Sequence, residues 1–301
     1  MTDDSIWDTY YIGSNPNYKG VFIKNRTVTL SPFVMGKYEV TQELYKAVMG
    51  SNPSNFTSNH ATTEGKQETQ GLRPVEKVSW YDAVAFCNEL TKALDIRDAS
   101  GNIDYAYYSD AGFTTGSDYT AADAGNQTTP YMKQIGDSKG YRLPTEAEWE
   151  FAARGGNCQA EAWKYAYAGV QTDNNDPNNF TSHNIDTNLE AYGWYSNNSD
   201  NKTHEVGKKT ANSLGLFDMS GNVWEWCWDW HDGNVTLNDS AYEVSGVVTN
   251  PAGPPSGSGA DSVARGGGWY YRAYNCAVSY RYDLTPLNAN FNLGFRVCRS
   301  L

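Results

Sequence analysis

The chain has 301 residues, 39% hydrophobic and 14% aromatic, which supplies enough apolar surface for one large domain or two small ones. Its formal net charge of −12 and pI near 4.7 argue against a nucleic-acid partner, because phosphate binding requires clustered Lys and Arg. No apolar run reaches the length of about 18 residues that predicts a transmembrane helix.

Two short strands are predicted near the start of the chain. Residues 27–30 alternate polar and apolar side chains, as a half-buried strand does, until Pro32 interrupts the pattern. Residues 33–35 are predicted to form a second extended piece that ends at Gly36.

Three helices are predicted from their N-terminal capping residues. The first follows Thr41, a good N-cap residue. The second follows Ser79, with Asp82 as its capping partner, and in both helices apolar residues then recur at helical spacing. The third follows Thr145, where Glu148 completes a capping box.

The remaining segments are mostly polar. Residues 97–140 are too long for a plain loop and are predicted to form a hairpin-bearing insertion. From Leu214 onward the sequence is typical of short strands separated by turns, and residues 250–259 are predicted to be a loop rich in Pro, Gly and Ser.

The segment 224–230 has four tryptophans in seven residues. Strand alternation would place Trp224, Trp226, Trp228 and Trp230 on one face and Glu225, Cys227 and Asp229 on the other. One interpretation is a core strand whose acid accepts hydrogen bonds from buried donors. The other is a cation site, with carboxylates from Asp218 and Glu225 and backbone carbonyls from Gly221 and Val223, as Ca²⁺ prefers. Spacing alone leaves both open.

Cysteines and histidines show no motif for catalysis or metal binding. The five cysteines have no CxxC spacing, so neither a zinc site nor a disulfide framework is indicated, and most are expected to be buried thiols. The four histidines, His60, His183, His204 and His231, lack HxxxH and HExxH spacing and are expected to be solvated.

Six phrases of the sequence, read in order, carry a family resemblance. They are GKYEVT (36–41), RPVEKVSW (73–80), YRLPTEAEW (141–149), GNVWEW (221–226), RGGGW (265–269) and NLGFR (292–296). Together they resemble the formylglycine-generating-enzyme (sulfatase-modifying factor) domain over about residues 20–298. The resemblance implies an α+β, C-type-lectin-like fold with little regular secondary structure, as a single domain over residues 1–301.

Oxidase members of this family use two cysteines, five residues apart, to bind copper and activate oxygen. Matching Gly266 and Gly267 to the family's glycine pair places these cysteines at Tyr271 and Cys276, so the first is missing here. A lone thiol cannot form the bis-thiolate that Cu(I) favours. The chain is therefore predicted not to be an enzyme, with a formylglycine-generating copper oxidase acting on cysteine as the alternative.

The family's calcium site maps onto Asp218, Gly221, Val223 and Glu225. This correspondence strengthens the cation-site interpretation of the tryptophan-rich segment. The sequence thus predicts no required cofactor, with calcium as a candidate structural ion.

The C-terminal run more closely resembles the variable proteins of diversity-generating retroelements, a branch that includes a spirochaete surface lipoprotein. There, adenine-directed mutagenesis converts AAY codons to NNY, which cannot encode Lys, Glu, Gln, Met or Trp. Residues 270–292 contain none of these five types. The resemblance implies a variable region there, with ligand-binding positions Tyr270, Tyr271, Arg272, Tyr274, Tyr280, Tyr282, Asp283, Leu284, Leu287, Asn288, Asn290 and Phe291.

Tyrosine suits such a region because it offers a large, rigid contact surface with a polar tip at low entropic cost. The display hypothesis predicts that the variable side chains share one surface, while Trp269, Val278 and Phe295 point into the core. The alternative is that the tyrosines pack a tryptophan-rich core, although burying them beside Arg and Asp is costly.

The sequence therefore favours a ligand-binding protein at the cell surface or outside the cell, with a protein or glycan partner. We expect a monomer that binds no nucleic acid. A calcium-dependent carbohydrate binder is a third hypothesis, for which the sequence shows no sugar-specific motif.

Overall fold

The computed structural model describes residues 20–22, 26–62, 65–173, 184–231, 246–253 and 261–301. Short regular elements alternate there with long irregular connections. The α-helices are α1 (Gln42–Met49), α2 (Trp80–Ala93), α3 (Ala121–Gly125) and α4 (Glu146–Ala153). The strands are β1 (Arg26–Thr29), β2 (Phe33–Met35), β3 (His60–Ala61), β4 (Gln67–Glu68), β5 (Tyr107–Tyr108), β6 (Tyr131–Met132), β7 (Trp224–His231), β8 (Gly246–Thr249), β9 (Asp261–Arg265), β10 (Tyr282–Leu284), β11 (Leu293–Gly294) and β12 (Cys298–Ser300).

The three predicted helices are confirmed, and their caps have the predicted geometry. The Thr41 hydroxyl accepts a hydrogen bond from the first turn of α1. Complete capping boxes form at α2, between Ser79 and Asp82, and at α4, between Thr145 and Glu148. These side chains bind backbone N–H groups that a helix start leaves without partners.

The central sheet has the strand order β10-β9-β7-β11. Strand β7 pairs antiparallel with β9 and parallel with β11, and all of its residues are buried. The four tryptophans of β7 belong to the largest core cluster, whereas Cys227 belongs to a different one, which confirms the predicted alternation. Helix α2 covers the tryptophan face, since the Trp80 ring lies 5.1 Å from those of Trp228 and Trp230.

Smaller sheets join distant parts of the chain. Strand β1 lies one residue earlier than the predicted strand and pairs in parallel with β8. Strand β2 has the predicted bounds and pairs with β12, so it ties the start of the described chain to its end. The polar insertion contains the antiparallel pair β5–β6 and, between these two strands, helix α3, which the sequence did not predict. None of the helices in these described ranges is both long enough and apolar enough to cross a membrane.

The prediction that the histidines are solvated is wrong for His204 and His231, which are buried. The His204 ring lies 2.8 Å from a carboxylate oxygen of Glu68 and 2.8 Å from the backbone oxygen of Ser199. It also stacks on Trp194, with ring centroids 3.8 Å apart. Partners distant in sequence satisfy this imidazole, so its polar local context was misleading. His183 lies outside the described residues.

Candidate functional site

The predicted variable region follows a glycine turn. Gly266 and Gly267 have φ angles of 95° and 74°, in the left-handed region that favours glycine. A Cβ at Gly267 would lie 2.5 Å from the Sγ of Cys276 and 2.8 Å from its Cα, so close packing also requires glycine. This turn folds the segment after it back on itself.

Three tyrosines of the region surround the buried Trp224 of β7. Ring-centroid distances from Trp224 are 5.2 Å to Tyr271, 5.8 Å to Tyr280 and 5.0 Å to Tyr282. Tyr271 and Tyr282 also meet edge to face at 6.0 Å. Such geometry is favourable for aromatic pairs, so a rigid indole supports these rings from below.

A second tryptophan supports the other end of the region. The Trp269 ring lies 5.3 Å from Tyr270 and 5.5 Å from Phe291, and its Nε1 donates to the Phe291 carbonyl oxygen at 3.1 Å. Phe56, from the loop after α1, packs edge to face against Trp269 at 5.3 Å. The sequence analysis did not identify Phe56, because no local pattern links that loop to the C-terminal segment.

None of the twelve predicted ligand-binding side chains is fully buried. Five of them are exposed: Tyr270 (59%), Leu287 (53%), Phe291 (42%), Arg272 and Asn290. The other seven are partly buried: Tyr271, Tyr274, Tyr280, Tyr282, Asp283, Leu284 and Asn288. Trp269, Val278 and Phe295 are buried, as predicted. We refer to the exposed and partly buried side chains of residues 270–292 as the aromatic face, whose ligand-binding role stays a prediction.

The predicted metal ligands lie in a buried cluster of charges. Arg296 donates to both oxygens of Glu225, each at 2.6 Å, and Trp149 Nε1 donates to the same carboxylate at 2.7 Å. Asp218 accepts from the backbone of Gly207 at 2.7 Å, while its Oδ1 is buried without a hydrogen-bond partner. Burial raises the pKa of Asp218 to about 6.

Glu39, which the sequence analysis did not single out, joins this cluster. Its carboxylate accepts from the Val223 backbone at 3.1 Å and from the Asn222 side chain at 2.7 Å. Burial, followed by the charges of Asp218 and Glu225, raises its pKa well above the usual range.

This arrangement does not fit the predicted calcium site. Arg296 and Trp149 engage both oxygens of Glu225, so a buried guanidinium already balances the charge that Ca²⁺ would balance. No group of three or more His, Cys, Asp or Glu is placed to hold a metal ion in the part of the chain that the structure describes. The geometry supports the hydrogen-bonding interpretation of Glu225.

A chelator such as EDTA is therefore expected to leave the melting temperature unchanged. The reason is that the buried guanidinium of Arg296 pairs with Glu225. Thermal unfolding followed by circular dichroism, with and without EDTA, checks this expectation, and a calcium-loaded sample is the control. A fall in melting temperature that added Ca²⁺ reverses would contradict it.

Cys276 lies beneath the aromatic face with its side chain buried. Burial raises the pKa of its thiol to about 12. Cys276 is a free thiol, as are the chain's four other cysteines. Tyr271 occupies the position that the family resemblance gives to the first oxidase cysteine.

Comparison with known proteins identifies relatives over most of the chain. Residues 9–301 match the family described as the sulfatase-modifying factor enzyme 1-like domain. The chain is 33% identical over 283 residues to a protein named chaperone protein LppX from Paenibacillus barcinonensis, covering 92% of this chain and 83% of that protein. The solved structure of Treponema denticola variable protein 1 is similar with a TM-score of 0.69 and 36% identity, covering 91% of this chain and 86% of that one. These similarities confirm the α+β, C-type-lectin-like fold.

Other relatives overturn the prediction that the chain is not an enzyme. The formylglycine-generating enzyme of Streptomyces coelicolor is 34% identical over 174 residues, which cover 57% of this chain and 49% of that enzyme. Further relatives carry the same name. The prediction rested on Tyr271 alone, and one substituted position does not place a chain outside a family that contains enzymes.

Proposed function

The chain belongs to the sulfatase-modifying factor enzyme 1-like family, and on that premise we propose that it binds a ligand through the aromatic face. The observation that supports this proposal is the exposure of Tyr270, Leu287 and Phe291 on a rigid support. Buried Trp224 and Trp269 carry the rings of the face, so little conformational entropy is lost when a ligand binds.

The composition of the face favours a protein ligand over a glycan. Its three most exposed apolar side chains, Tyr270, Leu287 and Phe291, are 59%, 53% and 42% exposed. Aromatic and aliphatic anchors of this kind bury apolar area against a partner, and tyrosine and arginine are the types that most often carry binding energy at protein interfaces. Arg272 is exposed beside Tyr270 and adds a charged donor.

We propose further that the region 270–292 is diversified by a retroelement and that the protein is displayed at the cell surface or outside the cell. Similarity to Treponema denticola variable protein 1 and the NNY-compatible composition support this. The test is the genomic neighbourhood. A template repeat nearly identical to codons 265–298, with adenines where this copy differs, is the expected finding.

Combined alanine substitution of Tyr270 and Phe291 is expected to weaken ligand binding at least about tenfold. Ligands are selected by panning a random-peptide phage library on the purified protein, with a glycan array in parallel. Affinities of the selected ligands are then measured by calorimetry. Because both side chains are exposed, each substitution should change stability by less than about 0.5 kcal/mol.

Leu94→Ala and Leu214→Ala are the matched controls, since these side chains are 56% and 52% exposed and lie outside the variable region. Neither is expected to alter the affinity. The proposed face would be contradicted if the selected peptides bind wild type and the double variant equally well. It would also be contradicted if only glycans bind and their binding does not depend on Tyr270.

A further inference from the structure

The side chain of Tyr271 occupies a slot in the aromatic face. Trp224 forms the floor and Tyr282 one wall, with centroids 5.2 Å and 6.0 Å from the Tyr271 ring. Tyr270 meets the ring edge to face at 6.2 Å. Three aromatic side chains therefore surround a space the size of one phenol ring.

Polar groups line the end of this slot where the Tyr271 hydroxyl lies. The Nε1–H of Trp224 is buried without a hydrogen-bond partner. Burial, followed by the neighbouring Tyr282, raises the pKa of Tyr271, whereas the nearby side chains of Asn292 and Trp224 lower it. A buried donor without a partner is costly, so a hydroxyl group here is stabilising.

The backbone at position 271 is held without help from the ring. Its N–H donates to the Gly268 carbonyl at 2.9 Å, and its carbonyl accepts from the Ser196 N–H at 2.8 Å. Two positions earlier in the chain, Trp269 is buried, and its carbonyl accepts a hydrogen bond from the Ser199 hydroxyl at 2.8 Å. Shortening the side chain of Tyr271 should therefore empty the slot without moving the chain around it.

We propose that Tyr271 is a plug, whose ring fills the slot over Trp224 and makes the aromatic face flat. A small residue at position 271 opens the slot to one para-substituted phenol. Aromatic walls exclude water and favour an arene. The donors at the closed end select a hydroxyl group. A tyrosine side chain of a protein ligand has this chemistry.

This inference rests on the proposed function and deepens it. If position 271 varies between copies of the gene, the residue there decides whether a ligand lies on the face or inserts a ring into it. In the present chain the slot is filled, so the ligand rests on the Tyr271 ring and its neighbours.

The test uses Tyr271→Ala and the small phenol p-cresol. Thermal melts of this variant are expected to shift upward by about 3 °C when p-cresol is about tenfold above its dissociation constant. Toluene, which has the same shape without the hydroxyl, should give a smaller shift. Wild type should respond to neither compound, because its slot is occupied.

Tyr270→Ala is the matched control, since it removes an identical ring from the same segment but from an exposed position. It is expected to show no response to p-cresol. The absence of a shift in Tyr271→Ala, or an equal shift in wild type or Tyr270→Ala, would overturn the plug.

If Tyr271→Ala does not fold alone, refolding is repeated with p-cresol. Recovery of the native circular dichroism spectrum then supports the slot, and failure to recover overturns it. No macromolecular ligand enters these measurements. If p-cresol does not stabilise Tyr271→Ala, the plug hypothesis is wrong and the proposed binding face is unaffected. If the peptide selection fails, the proposed binding face is wrong, but the binding of p-cresol to Tyr271→Ala can still be measured.

Discussion

The protein is expected to lose about 3–5 kcal/mol of its free energy of unfolding when Arg296 is replaced by methionine. The guanidinium is fully buried, binds both oxygens of Glu225 and donates to the backbone oxygens of Gly36 and Phe217. Methionine would leave the Glu225 carboxylate buried with Trp149 as its remaining donor. Urea denaturation followed by tryptophan fluorescence measures the loss, which is large against a typical stability of about 5–15 kcal/mol.

Two further variants separate this effect from the general cost of replacing arginine. Arg272→Met alters an exposed side chain and should change the stability by less than about 0.5 kcal/mol. The double variant Arg296→Met, Glu225→Met removes both charges and should recover much of the loss, because no unpaired charge stays buried. If the double variant is no more stable than Arg296→Met, the loss comes mainly from packing or from the backbone contacts of the guanidinium. That outcome would contradict the explanation by an unpaired Glu225 charge.

Glu76→Gln is expected to have a larger free energy of unfolding than wild type at pH 8. This advantage over wild type should be up to about 3 kcal/mol greater at pH 8 than at pH 5. Glu76 is fully buried beneath the loop after α1. One carboxylate oxygen accepts from the backbone N–H groups of Asn55 at 2.7 Å and Phe56 at 2.9 Å, while the other is buried without a hydrogen-bond partner. Burial raises the pKa of this carboxyl to about 7.

The direction of the effect follows from that raised pKa. The folded protein keeps the proton of Glu76 up to about pH 7, whereas the unfolded chain releases it near the ordinary glutamate pKa of 4.5. The stabilisation is therefore complete below about pH 4.5 and is lost as the pH rises through 7. Glutamine is neutral at both pH values, so Glu76→Gln does not lose stability through this titration.

Comparing the two proteins at each pH cancels the contribution of every other titrating group. Urea unfolding of wild type and Glu76→Gln at pH 5 and pH 8 provides the four free energies. Glu161→Gln, at a side chain that is 76% exposed, is the control and should show no such dependence on pH. A difference between wild type and Glu76→Gln that is equal at both pH values would contradict the assignment of the titration to Glu76.

The protonation of Glu76 is also coupled to the support of the aromatic face. The loop that it holds carries Phe56, which packs against Trp269 beneath Tyr270 and Phe291. The residue after it, Lys77, donates its N–H at 3.0 Å to the backbone oxygen of Asn290, one of the predicted ligand-binding residues. A change at this carboxyl therefore acts on residues that support the proposed binding surface.

Local sequence signals were sufficient for much of the fold. The caps at Thr41, Ser79 and Thr145 were predicted correctly because a cap depends on hydrogen bonds within about four residues. The alternation in β7 was predicted correctly because side-chain direction along a strand has a period of two. The family resemblance supplied the overall fold, which no local pattern contains.

The placement of the aromatic face was predictable only in part. The composition of residues 270–292 and the family resemblance predicted twelve ligand-binding positions, none of which is fully buried. Which of them are exposed was not readable from the sequence. Tyr270 is 59% exposed on Trp269, whereas Tyr271 and Tyr282 are partly buried on Trp224, a residue of β7.

The sequence by itself determined the helix caps and the core strand β7, since each depends on neighbours along the chain. Only the tertiary structure decided the partner of Glu225, because Arg296 lies 71 residues away in sequence. It likewise decided that His204 is buried on Trp194 and that Phe56 supports Trp269. The charge of a carboxylate is readable from its residue type, but whether a metal ion or a guanidinium balances it depends on which distant side chain the fold brings within about 3 Å.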